Sequence, residues 1–323
     1  MAEAFPRRVY LLRQRDLTPE TIAVTFAKTS RSPLPFDAIA RELTEEASSR
    51  FHEKWVVGYG HASVAEHAVL HLALENVSRL AIECIESNRL ASYTEKSTRY
   101  QKWDPQSYHL AHEVRGMAHE ALYRETCDHL FAAYQASLEP VRAVVERAFP
   151  RREEESETRW DGRIRSKYVD VCRFLLPAAS LANVGMTVNA RALEGALRKM
   201  LSHPLEEVRR IGRETKEIAS AEVPTLLKYV EAKPYLIETR RELRKLAATN
   251  APEPSPMLRL VAYDPEGEIK VLAAALFEHG MGSYLGLLER MRAASPQERQ
   301  EVAQAILGPR GKFDVPLRAL EHT

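Results

Sequence analysis

The sequence predicts an α+β fold, mostly helical with a small central sheet, and three patterns carry that expectation. Leu130, Tyr134, Leu138, Val141 and Val145 recur every three or four positions, which puts them on one face of a helix. Leu70, Leu72 and Leu74 alternate with Val69, His71 and Ala73, the period of a short buried strand. Directly afterwards Val77, Leu80, Ala81, Cys84 and Ile85 return to the spacing of an amphipathic helix. With 323 residues, 45% of them apolar, the chain has the composition of a globular protein and the length for two domains.

Charge and cysteine usage narrow the function classes. Lys plus Arg is 46 against 45 for Asp plus Glu, so the net charge of +1 provides no global basic field for nucleic acid. Three cysteines, Cys84, Cys127 and Cys172, form no close pair of the zinc or redox kind, which favours a reducing compartment and a cytoplasmic location. The first residues lack the apolar core of a secretion signal, and no run of 18 apolar residues suggests a membrane span. Dinucleotide Gly-x-Gly-x-x-Gly, P-loop, His-Glu-x-x-His and Gly-x-Ser-x-Gly fingerprints are missing as well.

Taken in order, Ser63-Val-Ala-Glu66 has the spacing of a capping box, in which two side chains reciprocally satisfy the first amides of a helix. The strand at 69–74 and the helix from Val77 follow, and the apolar rhythm then stops over Ser87–Tyr100. In the helix around 130–145, Pro140 should introduce a kink or a division. Residues 149–167, rich in Arg and Glu with Pro150 and Gly162, read as a charged surface connection. Leu193, Leu197 and Met200 share a helix face, as core residues do. Three prolines between 252 and 256 push the residues before them out of helical geometry. The expected organisation is therefore a first domain over 1–250, a linker over 251–257 and a further segment over 258–323.

Ser87–Tyr100 is where chemistry concentrates. Ser92, Thr94, Ser97 and Thr98 donate or accept hydrogen bonds, Arg89 and Arg99 offer forked donors suited to phosphate, and Glu95 can orient or accept. By composition alone, a solvated loop explains the segment equally well.

The pattern Arg89-Leu-Ala-Ser92 followed by Glu95-Lys-Ser-Thr-Arg-Tyr100 resembles the signature of the flavin-dependent thymidylate synthases, the ThyX family. Upstream, Gly60-His-Ala-Ser-Val-Ala-Glu-His67 is similar to the family's Gly-His-x-Ser/Thr-x-x-Glu-His element, with Val77-Ser-Arg79 leading into the helix as in the family. Downstream, Arg173-Phe-Leu-Leu-Pro177 and Thr187-Val-Asn-Ala-Arg191 resemble its Arg-x-x-Leu-Pro and Thr-x-Asn-Ala-Arg elements. Three blocks in order over 58–201 are far more specific than one.

The resemblance implies a mixed α and β fold assembled as a homotetramer, with sites built from several subunits. It also implies an activity: FAD takes hydride from NADPH, and the methylene group of methylenetetrahydrofolate is transferred and reduced to turn dUMP into dTMP. Carried onto this chain, Ser63, Glu66, Ser87, Asn88, Arg89, Glu95, Asn189, Arg191 and Gly195 would line the flavin nucleotide. Glu95, Lys96, Ser97, Thr98, Arg99 and Arg173 would hold dUMP, with Ser97 and Arg99 near its phosphate and next to the chemistry. In such a site the cofactor carries the reaction and the protein aligns it.

Several positions depart from the family pattern. The Arg-His-Arg opening reads Ser87-Asn88-Arg89, and the family's asparagine after the third block is Gly195. Where the family places an arginine that polarises the uracil ring at N3, this chain has Met200, which cannot stabilise an anion. Arg198 lies about 200° away around a helix and does not replace it. Two other readings follow from these departures. One is a noncatalytic ThyX-like subunit or half that completes a partner's site, and the other is a flavin enzyme for another pyrimidine nucleotide.

Remaining features point less sharply. His67 and His71 are separated by strand-like sequence and match no zinc motif, while His109 and His112 read as surface or cap residues, so no metal is expected. Cys84 falls on an apolar helix face. Tyr93, Tyr100 and Trp103 could stack on a flavin or pterin ring or pack in a core. Beyond the prolines, Arg259–Gly267 and Val271–Leu276 look like the strand and helix with which chains of this family begin, and Glu321-His322 echoes Glu66-His67. The expectation for 258–323 is a partial second copy, as in a tandem protein, or an appendage.

Overall fold

The computed structural model describes residues 15–29, 32, 34–58, 62–247, 256–311 and 314. Two compact units divide the chain, Met1–Thr249 and Asn250–Thr323. In the first, helices α1 (Pro19–Thr29), α2 (Phe36–Arg41) and α3 (Glu45–Phe51) lead through a π-helical turn at His52–Gly58 and a 3-10 turn at Ala62–His67 into strand β1 (Val69–Ser78). There follow α4 (Arg79–Glu86), β2 (Ala91–Glu95), α5 (Glu120–Ala148), α6 (Glu157–Cys172), β3 (Leu181–Asn189), α7 (Ala190–Leu201), α8 (Glu206–Glu222), α9 (Pro224–Leu227) and α10 (Pro234–Ala247). The second unit carries α11 (Gly267–His279), α12 (Tyr284–Ala293) and α13 (Pro296–Leu307) around a small core of Leu272, Ala273, Leu288, Met291 and Ala294.

Helices thus dominate, and the strands form one antiparallel sheet in the order β1-β3-β2. β3 is central because its alternation is the strongest of the three: Ala182, Val184, Met186 and Val188 are all buried. Their face packs into a core built from Ile82 and Ile85 of α4, Phe131 and Tyr134 of α5, Ile164 and Tyr168 of α6, and Leu193 and Leu197 of α7. Registers run Val69↔Asn189 to Ser78↔Leu181 on one side of β3 and Ala91↔Val188 to Glu95↔Val184 on the other.

Several expectations are corrected. The 63–66 segment is a 3-10 turn, and Glu66 reaches across to Arg191 instead of closing a capping box. Val77 belongs to β1, not to the following helix. An irregularity between Leu74 and Val77, with Asn76 at φ 54°, lets the strand resume, and Ser78 then caps α4 by accepting from the Ala81 amide at 3.0 Å. Part of the presumed loop at 87–100 is strand β2, whose polar alternation suits an edge.

α5 runs undivided through Pro140, which lies on its exposed side, while Tyr134, Leu138 and Val145 are buried as the spacing requires. The charged connection ends earlier than its composition suggests. α6 starts at Glu157, where Ser156 accepts from the Arg159 amide at 3.3 Å and Arg163 ties back to Glu155 at 2.6 Å. In the second unit the helix forms, but residues 258–263 adopt no strand. Glu321 and His322 fall outside the described residues, as do Gly60 and His61 of the first sequence block.

Candidate active site

The residues singled out by sequence gather at the two ends of β3. At the Asn189 end, Asn189 caps α7 by accepting from the Ala192 amide at 2.8 Å, which aims the first turn of that helix. Arg191, in the first turn of α7, forms an ion pair with Glu66 and so joins the first and third sequence blocks. Ser63 and Glu66 line a cavity of about 530 Å³ whose walls include Phe26, Phe51, Trp55 and His67. Phe26 and His67 stack with ring centroids 4.8 Å apart, giving the cavity a flat aromatic side.

The turn Ser87-Asn88-Arg89 lies toward the same end, just before β2 begins opposite Val188. Ser87 is exposed and its hydroxyl donates to the Cys84 carbonyl at 2.8 Å; Arg89 is also exposed. Asn88 turns inward: it is buried, its Nδ2 donates to the Ile85 carbonyl at 2.8 Å, and its Oδ1 accepts from Lys199 Nζ at 2.9 Å. Tyr93 is partly buried and its hydroxyl donates to the Asn88 and Ile85 carbonyls at 2.8 and 3.1 Å. Gly195 faces open space; a Cβ there would meet nothing within 4 Å.

The other end carries the proposed nucleotide contacts. Arg173 Nη1 donates to the Thr98 hydroxyl at 3.1 Å, and Asp170 bridges Arg173 at 2.8 Å and Arg99 at 3.0 Å. Those two guanidinium groups hold the Asp170 carboxyl below its ordinary range, with the hydrogen bond from Arg99 the largest cause. Ser97 Oγ accepts from the Arg99 amide at 3.3 Å, a local turn that shapes the loop. Lys96 lies 4.4 Å above the ring of Trp103, which is buried and donates Nε1–H to the Leu181 carbonyl at 2.6 Å. Trp103 is therefore a core residue, whereas Tyr100 is exposed.

A cavity of about 350 Å³ at this end is lined by Thr98, Arg173, Phe174, Trp103, Arg79 and Glu83. Arg79, which the sequence motif includes without a ligand role, also lines this cavity. It pairs with Glu95 and reaches Glu83 at 2.7 Å, so it links the start of α4 to the end of β2. The signal was available: Ser78 as an N-cap and an Arg and Glu four apart at the start of an apolar helix. Asp170 and Lys199 were missed because nothing local marks them; only folding brings them to the motif.

Met200 stands apart from both groups. It is 5% exposed on the buried face of α7, and a Cβ on Gly212 of α8 would come within 3.0 Å of the Met200 Cβ. Arg198 is tied to Glu194 on its own helix and does not enter either cavity.

Other residues named by sequence have structural duties. Cys84 Sγ lies 3.4 Å from His203 Nε2, and His203 Nδ1 accepts from the Leu205 amide at 3.2 Å, so the ring proton sits on Nε2 and points at sulfur. Burial pushes the Cys84 thiol up and the His203 imidazole down, which leaves both neutral. His109 Nε2 faces Glu207 at 3.6 Å, and His71 Nδ1 shares a hydrogen with Thr187 at 2.9 Å. Among the described residues no three His, Cys, Asp or Glu side chains are arranged to hold a metal, and no helix is long and apolar enough to cross a membrane.

Comparison with known proteins places the chain in a family. The profile of the family described as thymidylate synthase complementing protein matches residues 11–225. A UPF0159 protein of Chlamydia pneumoniae is 30% identical over 287 residues, covering 83% of this chain and 54% of that protein, and one of Chlamydia muridarum is 29% identical with the same coverage. The chain thus spans about half the length of these relatives. A flavin-dependent thymidylate synthase of Clostridium tetani is 27% identical over 216 residues, 65% of this chain and 82% of that protein. With the matched region covering β1, β2, β3 and every described residue of the two groups, the chain belongs to the thymidylate synthase complementing protein family.

Proposed function

We propose that the chain is a flavin-dependent thymidylate synthase-like protein that binds FAD and acts on dUMP, with methylenetetrahydrofolate and NADPH as co-substrates. The observation that carries this reading is the meeting of the three sequence blocks: Glu66 with Arg191, and Thr98 with Arg173. The donor set suits the groups to be held. Arg89, Arg191 and the aromatic cavity beside Ser63 and Glu66 match an anionic nucleotide joined to a flat ring, and Asn189 and Gly195 lie on the same helix as Arg191, as its N-cap and one turn further on. When bound, the flavin supplies hydride transfer.

This chain's own residues position and neutralise. Arg173, Arg99 and Thr98 would take the dUMP phosphate, displacing the Asp170 carboxylate that both guanidinium groups hold in its absence. Arg79 keeps Glu95 aimed along the end of β2. β2, which carries the Arg89 turn before one end and Glu95 at the other, spans five residues, about 14 Å at some 3.4 Å per residue. A homo-oligomer, tetrameric by family resemblance, would bring the cofactor end of one copy against the substrate end of another. The three free cysteines suit a reducing, cytoplasmic setting.

Purified protein tested for a flavin absorption band, dUMP-dependent NADPH oxidation and tritium release from labelled dUMP decides the matter. Protein that takes up no flavin and no dUMP is not an enzyme of this kind, and turnover confined to another pyrimidine nucleotide would reassign the substrate. A second reading, a noncatalytic half that completes a partner's site, draws on the burial of Met200 and on relatives about twice as long as the matched region. It predicts ligand binding without turnover. On that reading residues 258–323 open a second unit of the same kind.

A further inference from the structure

Charge is unevenly balanced where α7 meets the turn at 87–89. Arg191, Gly195 and Lys199 follow one another at single-turn intervals, so they form one stripe about 12 Å long on α7. Most arginines near the two candidate groups carry a carboxylate: Arg191 has Glu66, Arg198 has Glu194, Arg173 has Asp170 and Arg79 has Glu83 and Glu95. Lys199 instead meets a neutral amide, and among the described residues neither it nor Arg89 stands in an ion pair. Its partner is rigid. Asn88 is 6% exposed, and because its Nδ2 is committed to the Ile85 carbonyl, its Oδ1 must face Lys199.

An ammonium group held by a neutral oxygen keeps its full charge for a ligand, and a partner that cannot rotate fixes where that charge sits. Gly195, one turn before it, leaves a gap that no side chain closes. A stripe of about 12 Å is longer than one phosphate ion. We infer that Lys199 is a cofactor-holding residue: with Arg89 it takes the phosphate ester groups of the flavin nucleotide over Gly195, supplying from α7 a cation that the Ser87-Asn88-Arg89 turn lacks. The inference rests on the flavin reading above and adds a residue to it.

Titration of the purified full chain with FAD, followed by flavin fluorescence, tests it. Lys199→Met removes one charge-assisted hydrogen bond and is expected to weaken FAD about tenfold to a hundredfold. Lys199→Arg keeps the charge and should stay within about threefold of wild type. Lys245→Met, on the exposed face of α10, should leave binding unchanged. Riboflavin, which has no phosphate, should bind wild type and Lys199→Met alike, and inorganic phosphate should compete with FAD more strongly in wild type than in Lys199→Met. Far-UV circular dichroism of each variant checks folding. FAD bound equally by wild type and Lys199→Met overturns the inference and leaves the flavin reading standing. An equal loss of FAD and riboflavin overturns the assignment to phosphate, and wild type that takes no flavin overturns both.

Discussion

Replacing Met200 by arginine, the residue the family pattern has there, tests whether that position is site or core. Met200 is 5% exposed beneath α8, where Gly212 allows the two backbones to approach so closely that a Cβ would stand 3.0 Å from the Met200 Cβ. Met200→Leu conserves volume and should cost less than about 1.5 kcal/mol. Met200→Ala leaves a cavity and should cost about 2 to 5 kcal/mol. Met200→Arg loses the same packing and also desolvates a cation with no acid to meet it, so the cost should reach roughly 4 to 6 kcal/mol. Set against a total of about 5 to 15 kcal/mol for a domain, that is enough to leave much of the protein unfolded at ambient temperature. Urea unfolding monitored by circular dichroism gives the ranking Leu, Ala, Arg in order of increasing loss. Should Met200→Arg unfold within about 1 kcal/mol of Met200→Leu, or gain dUMP-dependent turnover, the assignment of this position to the core is wrong.

Further outcomes follow from contacts already described. Glu155 is held at about 2, chiefly by the hydrogen bonds from Arg163. Since a carboxylate lowered on folding stabilises above its unfolded value, this contribution is present above about pH 4.5. It is lost as pH falls toward 2, and in Arg163→Gln the Glu155 titration followed by NMR should move up toward its ordinary range. Glu20 is 5% exposed and its Oε1 accepts the Thr225 and Leu226 amides at 2.9 and 3.2 Å, capping α9 from a distance. Glu20→Ala should therefore destabilise by about 2 to 4 kcal/mol in urea. Arg173→Gln should weaken dUMP at least tenfold by calorimetry, with deoxyuridine unaffected; equal loss of both would place Arg173 away from the phosphate.

Where apolar rhythm is strong, the sequence reads the fold well. The alternation at 69–74 is a strand, and the face Tyr134, Leu138, Val145 is buried as its spacing requires. Legibility fails where polar residues do the work. β2 reads as a loop because Ala91–Glu95 is an edge strand held by backbone pairing to β3, and α6 reads as a connection because its first turns are Arg and Glu. In the second case Ser156 was a usable N-cap signal. β3 is legible too, since Ala182, Val184, Met186 and Val188 alternate without a break. As for the candidate site, motif residues are visible as letters, but their partners are not. Asp170 and Lys199 reach Arg99 and Asn88 from 71 and 111 positions away, and no window of sequence holds both members of either pair.

The central place of β3 sets a timetable for synthesis. His71 of β1 meets Thr187 of β3, 116 positions later in the chain. At about 5 to 20 residues per second, β1 leaves the ribosome roughly 6 to 23 seconds before its neighbour exists. β2 waits nearly as long, because it too pairs only with β3. For that interval two strands and the apolar face of α4 have no sheet to join, and both ends of the candidate site are absent together. The nascent chain is therefore most vulnerable to aggregation and most dependent on chaperones before residue 189 emerges.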